Sequence, residues 1–292
     1  MKKKISIPIV ISLVLILFNL VVAQDSIKIF RYPDANKMNV VAKSTIEKRP
    51  INYRYSYSLF SGPTSEQNAT DFFIIRNAFL DSVKAPLNWI GQLDNEDKKM
   101  FWFSRDSLYD LLPNHQISGF VIYSKGLPSI IRFHLSGDIP IPELSEEPDS
   151  VENDNIFENS FKGWTVGPKD PPTQFVPVEF LDTLKSYLRQ AYSLKWIVDK
   201  KENEKEKHDK EKEKDSGIVK ELTKYLVKAR EHLIKNKIKE AKKQLKEFVE
   251  KVENYYENDR DEEKERSEHG YLTSEAYALL KYNAEYLIQQ LK

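Results

Sequence analysis

Residues 218–252 read IVKELTKYLVKAREHLIKNKIKEAKKQLKEFVEKV, and this run decides how the C-terminal part of the chain folds. Ile218, Leu222, Tyr225, Leu226, Ala229 and Leu233 recur at intervals of three and four, which puts them on one face of a helix. After the break at Asn236-Lys237 the same spacing resumes in Ile238, Ala241, Leu245, Phe248, Val249, Val252 and Tyr256. A join that short makes the two helices antiparallel neighbours. Downstream, Thr273 is placed as an N-cap, with Glu275 at the positive end of the helix dipole. That helix carries Ala276, Leu279, Leu280, Asn283, Leu287 and Leu291. Upstream, residues 178–198 form a further amphipathic segment, with Leu181, Leu184, Leu188, Ala191 and Leu194 as its stripe and Pro177 at its start. The expectation is a four-helix bundle over 178–292, interrupted by charged insertions at 199–215 and 257–270 that have no apolar face and act as spacers.

Residues 25–137 follow another rule. Ile51, Tyr53, Tyr55, Tyr57 and Leu59 alternate with Arg54, Ser56 and Ser58, the period of a half-buried strand, and Gly62-Pro63-Thr64 ends it. Further strands are expected at 72–76, 99–104, 117–124 and 130–136. Short strands at even spacing with a Phe, Tyr and Trp core predict an antiparallel β-sandwich over 24–138. The fold class is thus all-β followed by all-α. Seven prolines and an acidic patch mark 139–177 as a linker, within which Phe161, Trp164 and Val166 stand out as a strap to dock on either part.

Lys2, Lys3 and Lys4, an apolar run over 5–22 and Val21-Val22-Ala23 read as an export signal peptide cleaved after residue 23. Its loss leaves 42 basic against 45 acidic residues, and the lysines of the helical part are interleaved with glutamates. Nothing there favours nucleic acid. No other stretch reaches membrane-spanning length, so the expected mature protein has no stable membrane span and is periplasmic, surface-attached or extracellular. With no cysteine at all, its stability rests on apolar packing and not on disulfides.

Motifs for chemistry are missing. His115, His134, His208, His232 and His269 fall in five segments, with no two at metal-ligand spacing. His134 alternates with Ile131, Phe133 and Leu135 and is expected on the solvent face of its strand. Glycoside hydrolysis needs two carboxylates roughly 5–9.5 Å apart. Asp71, Asp81, Asp106 and Asp110 are the ones available in the β part, and nothing in their context separates them from turn-capping aspartates. No catalytic residue, metal site or cofactor is expected. For binding, Trp89, Trp102, Tyr55 and Tyr57 are the candidates: they either fill the core between the sheets or form a platform on which a sugar ring stacks.

Leu222 to Ala229, the break at Asn236-Lys237, Ala241 with the run Leu245 to Val252, and Leu272-Thr273 leading into Ala276 and Leu287-Ile288 together resemble the FIMAH-type domain, a small helical module at the C-termini of many secreted bacterial hydrolases, proteases and adhesin-like proteins. Gly163 to Pro168 and the helix from Val178 resemble its lead-in, so the resemblance covers about residues 164–292. The two charged insertions depart from that pattern. The family has no catalytic residues to carry over, and the resemblance implies an accessory role. The functional expectation is an exported, non-enzymatic binding or adhesion-type protein whose partner is a polysaccharide, a cell-envelope component or another protein. The alternatives are a structural envelope-assembly protein and a small secreted hydrolase with its site at the domain junction.

Overall fold

The computed structural model describes residue 35 and residues 37–75, 77–94, 99–137, 158–198, 217–257 and 271–292, with the backbone of 29–30 and 150–151. The expected signal peptide, the linker up to residue 157 and the charged insertions lie outside the described residues, apart from Glu257 and the backbone of 150–151.

Among the described residues, nine strands build two antiparallel sheets. Strands β2 (Val40–Lys48), β3 (Tyr53–Ser61), β8 (Gln116–Ser124) and β5 (Leu80–Lys84) lie side by side in that order. The other sheet runs β11 (Phe161–Lys169), β9 (Leu127–Gly137), β4 (Ala69–Ile75), β7 (Lys99–Ser104) and β6 (Trp89–Asp94). Two short strands, β1 (Ile29–Phe30) and β10 (Ser150–Val151), pair in parallel apart from these sheets. Lettered in chain order, the sheets are A-B-E-D and G-F-C, with two further strands beyond C, which is the strand order of an immunoglobulin-like sandwich. No disulfide joins the sheets. Phe72 and Trp102, paired across β4 and β7 of one sheet, stack at 5.0 Å, and Tyr57 and Phe120 of the other sheet stand edge-on to both.

The alternation in β3 is as expected from Tyr55 onward, with Tyr55, Tyr57 and Leu59 buried. Ile51 stands outside the strand and is exposed. Part of the expected linker is sandwich. Residues 161–169 form β11, hydrogen-bonded along the length of β9. Its glycines are places of close packing and not loop punctuation: a Cβ on Gly163 would stand 2.3 Å from the Phe133 ring, and one on Gly167 2.1 Å from Ile131 Cδ1. Pro168 is tolerated because β11 is an edge strand.

The helices are α1 (Pro177–Ser193), α2 (Gly217–Ile234), α3 (Ile238–Glu257) and α4 (Ser274–Gln290). Their shared core contains the predicted stripes, including Leu181, Leu188, Leu222, Leu226, Leu245, Phe248, Leu279 and Leu287. The break after α2 is a Schellman cap: Asn236 has φ 54°, its N–H reaches Leu233 O at 3.0 Å, and Lys237 N–H reaches His232 O at 2.8 Å. The first helix stops earlier than expected. Lys195 takes φ 59° in a second cap of this kind, and Ile197–Val198 leave the helix as β12, pairing with Tyr271–Leu272 (β13).

The bundle does not stand alone. Helix α4 is buried nearly all round, turning Leu279, Leu280 and Leu287 toward the helices and Ala278 and Tyr282 toward the sandwich. It lies along the edge strand β2, whose outward backbone groups it satisfies. Ser44 N–H donates to Glu275 Oε1 at 2.6 Å, Ser274 Oγ donates to Ser44 O at 2.7 Å, and Tyr282 OH donates to Ile46 O at 3.2 Å. Covering an edge this way removes a template for unwanted strand pairing. Thr273 occupies the N-cap position, but its hydroxyl makes no capping bond. No helix among the described residues is long and apolar enough to cross a membrane.

Candidate functional site

Trp89, Trp102, Tyr55 and Tyr57 are all buried, so they form no platform for a sugar ring. On strands whose inner faces meet across a sandwich, large aromatics gain most by filling the space between sheets. Three of the four have a further use. The indole N–H of Trp89 donates to Tyr109 O at 2.9 Å, that of Trp102 to Lys84 O at 2.9 Å, and Tyr55 OH to Gly126 O at 2.7 Å. The Trp89 and Tyr55 bonds tie the core to loops, and the Trp102 bond holds Lys84, the last residue of β5. Tyr57 OH makes no hydrogen bond, and burial pushes its pKa well up.

At one end of the sandwich, Trp89 holds the connection 105–115 through Tyr109 O, and Trp102 holds the end of β5, from which the connection 85–88 leaves. The first turns on Asn88, at φ 63°, and Trp89 N–H reaches back to Pro86 O. The second begins with Arg105 N–H donating to Asn88 O at 3.0 Å, which joins the two loops. Asp106 then caps the single 3₁₀ turn Ser107–Tyr109 by accepting from Leu108 N–H at 3.0 Å. Asp110 accepts from Ser104 Oγ, and Leu111 exchanges both backbone bonds with Ala69. These loops are anchored at almost every second residue. Leu111 is buried, but four other large apolar side chains of these loops face outward: Leu87 is 88% and Leu108 81% exposed, with Tyr109 and Leu112 also exposed.

Scattered exposed leucines are ordinary, but these two stand on loops joined by a hydrogen bond at one end of the sandwich. Each leaves about 1.5–3 kcal/mol of burial energy unused. In the sequence the aromatic residues outweigh them as binding candidates. The usable signal was a leucine within turn chemistry, Pro86-Leu87-Asn88 and Asp106-Ser107-Leu108, where a polar residue is the usual choice.

A small cavity of about 120 Å³ lies where sandwich meets bundle. Leu127, Pro128, Phe180 and Tyr187 provide its apolar walls, and the exposed Lys169 and Asp170 line it as well. Burial raises the Tyr187 pKa. Asn283, another lining residue, is held by its amide N–H groups to Pro128 O and Leu279 O, both at 2.8 Å. This is the opposite end of the sandwich from the connections 85–88 and 105–115, since β8 runs from Gln116 beside those loops to Ser124 just before Leu127.

His134 points away from the sandwich core as its position in β9 requires, yet it is buried. Its ring stacks on Phe73 at 4.9 Å, and Nδ1 lies 2.9 Å from Ser160 Oγ. Desolvation, with Lys162 and Arg132 nearby, lowers its pKa to about 4. A histidine so reluctant to take a proton is a weak base for activating that serine. The aspartates are occupied locally: Asp81 with Asn52, Asp71 with Thr70, Asp106 and Asp110 as above. Among the described residues no group of His, Asp or Glu side chains is arranged to hold a metal ion.

No protein-family model matches the chain. No curated protein matches it either. Among solved structures, an uncharacterised protein from Nocardia farcinica described as having an immunoglobulin-like fold is similar to it at 13% identity, over 44% of this chain and 99% of that one, with a TM-score of 0.27. So low a score carries no argument, and the sandwich here stands on its own strand order.

Proposed function

We propose that this is an exported, non-enzymatic binding or adhesion-type accessory protein, in which the loop end of the sandwich is the contact surface and the helical bundle is the docking and spacing module. The observation that carries this reading is the outward placement of Leu87 and Leu108 on two loops joined by the Arg105 N–H bond to Asn88 O, one of them held to the core by the Trp89 indole N–H. Rigid loops present these side chains with little ordering cost on association. The partner is a protein or envelope component with an apolar recess, because no exposed aromatic platform stands among the sugar-binding candidates. The resemblance of residues 164–292 to FIMAH-type domains supports the accessory role, and the lysine-rich leader supports export.

Sedimentation of residues 24–292 with isolated bacterial envelopes tests it. Binding should fall at least tenfold in the Leu87→Asp/Leu108→Asp double variant, while thermal stability stays unchanged because both side chains are solvent-exposed. Equal binding by both proteins would remove the loop end from the function.

A further inference from the structure

We propose that the partner of the loop end is a second copy of this chain, which receives Leu108 in the cavity between sandwich and bundle, so that copies join head to tail. This rests on the reading of the loop end as a contact surface and names its occupant.

Knob and cavity cannot meet within one molecule. They lie at opposite ends of β8, whose nine residues separate them by about 30 Å at roughly 3.3 Å per residue. The cavity's lining selects what enters, and there is room in it for a branched aliphatic side chain. Its walls of Leu127, Pro128, Phe180 and Tyr187 suit an aliphatic guest. Leu108 is such a group, anchored at its backbone and exposed at its tip.

The charges beside the two surfaces are complementary. Arg105 and Asp106 precede Leu108, and Lys169 and Asp170 line the cavity, all four exposed. Docking with the two pairs running in opposite senses sets Arg105 against Asp170 and Asp106 against Lys169. Such a contact uses different patches on the two copies and leaves one knob and one cavity open at the ends, so growth continues beyond a dimer.

Sedimentation velocity of residues 24–292 from micromolar to millimolar concentration tests the proposal. The expected result is a mass that climbs past the dimer with concentration. Leu108→Asp removes the knob, and Thr183→Trp, at an exposed lining position, fills the cavity; each variant alone should be monomeric. Mixed, they should form a one-to-one dimer and nothing larger, because together they hold one working knob and one working cavity. Should the tryptophan fail to fill the cavity, Asp170→Arg should weaken association about tenfold and Arg105→Asp in the same chain should restore it.

A wild-type chain that stays monomeric, or oligomers indifferent to these changes, would overturn head-to-tail assembly. If the wild type is monomeric but the leucine double variant still loses envelope binding, the contact surface stands and only its occupant is wrong. If envelope binding is also unaffected, both readings fall.

Discussion

Glu275, in the first turn of α4, accepts the backbone N–H of Ser44 in the edge strand of the sandwich at 2.6 Å, across 231 residues of sequence. Both residues are buried. The bond makes the last helix part of the sandwich as well as of the bundle, and Ser274 and Tyr282 add bonds to the same strand. An edge amide shielded from water needs a partner.

Glu275→Ala should therefore destabilise the chain by about 1–3 kcal/mol, the cost of a buried donor left unsatisfied. Glu275→Gln keeps an acceptor and should lose less. Urea unfolding followed by Trp fluorescence measures both, and equal losses would mean that charge and not hydrogen bonding matters at this contact.

Trp89→Phe keeps an aromatic ring in the core but releases Tyr109 O. The expected loss of stability is about 1 kcal/mol for the bond, with more for the missing ring volume. Amide exchange in residues 105–112 should accelerate, and envelope binding should weaken although Leu87 and Leu108 are unchanged. Unaltered exchange would show that the loop holds itself.

Gly167→Ala and Gly163→Ala each place a methyl within 2.5 Å of the Ile131 or Phe133 side chain. Each should cost about 1–3 kcal/mol through overpacking. Gly126→Ala, which would meet backbone of Lys169 at 3.0 Å, should be destabilising as well. Thermal melts rank them, and a neutral Gly167→Ala would mean that β11 can move away from β9 freely.

His134 has a pKa of about 4 in the fold against 6.5 ordinarily. Between these values the unfolded chain takes up a proton that the native chain does not, so stability falls as pH drops from 6.5 toward 4. It is unaffected above that window. The full loss is on the order of 3 kcal/mol. Lys162 and Arg132 facing the ring add to the cost of charging it. In His134→Phe the fall through this window should be shallower by that amount, as measured by urea midpoints at pH 7, 5.5 and 4; parallel curves would assign the acid sensitivity elsewhere.

The period-two strand β3 and the three- and four-spaced stripes of the helices were legible because each element's own side chains divide between the core and its other face. The strand at 161–169 was not, since Gly163, Gly167 and Pro168 look like linker residues until β9 is packed against them. His134 was given its correct face but not its burial, which comes from Phe73 and Ser160 brought in from other segments.

By itself, then, the sequence determined the four helices and the strands β3, β4, β7, β8 and β9, because periodicity is a local property, but not β2, β5, β6 or β11. Only the tertiary structure decided that Glu275 serves Ser44, that Trp89 holds a loop and Trp102 the end of β5 instead of a ligand, and that Leu87 and Leu108 stand exposed on neighbouring loops at one end of the sandwich while a small cavity lies at the other. Those relations join residues distant along the chain, and they exist only once the sheets and helices have packed against each other.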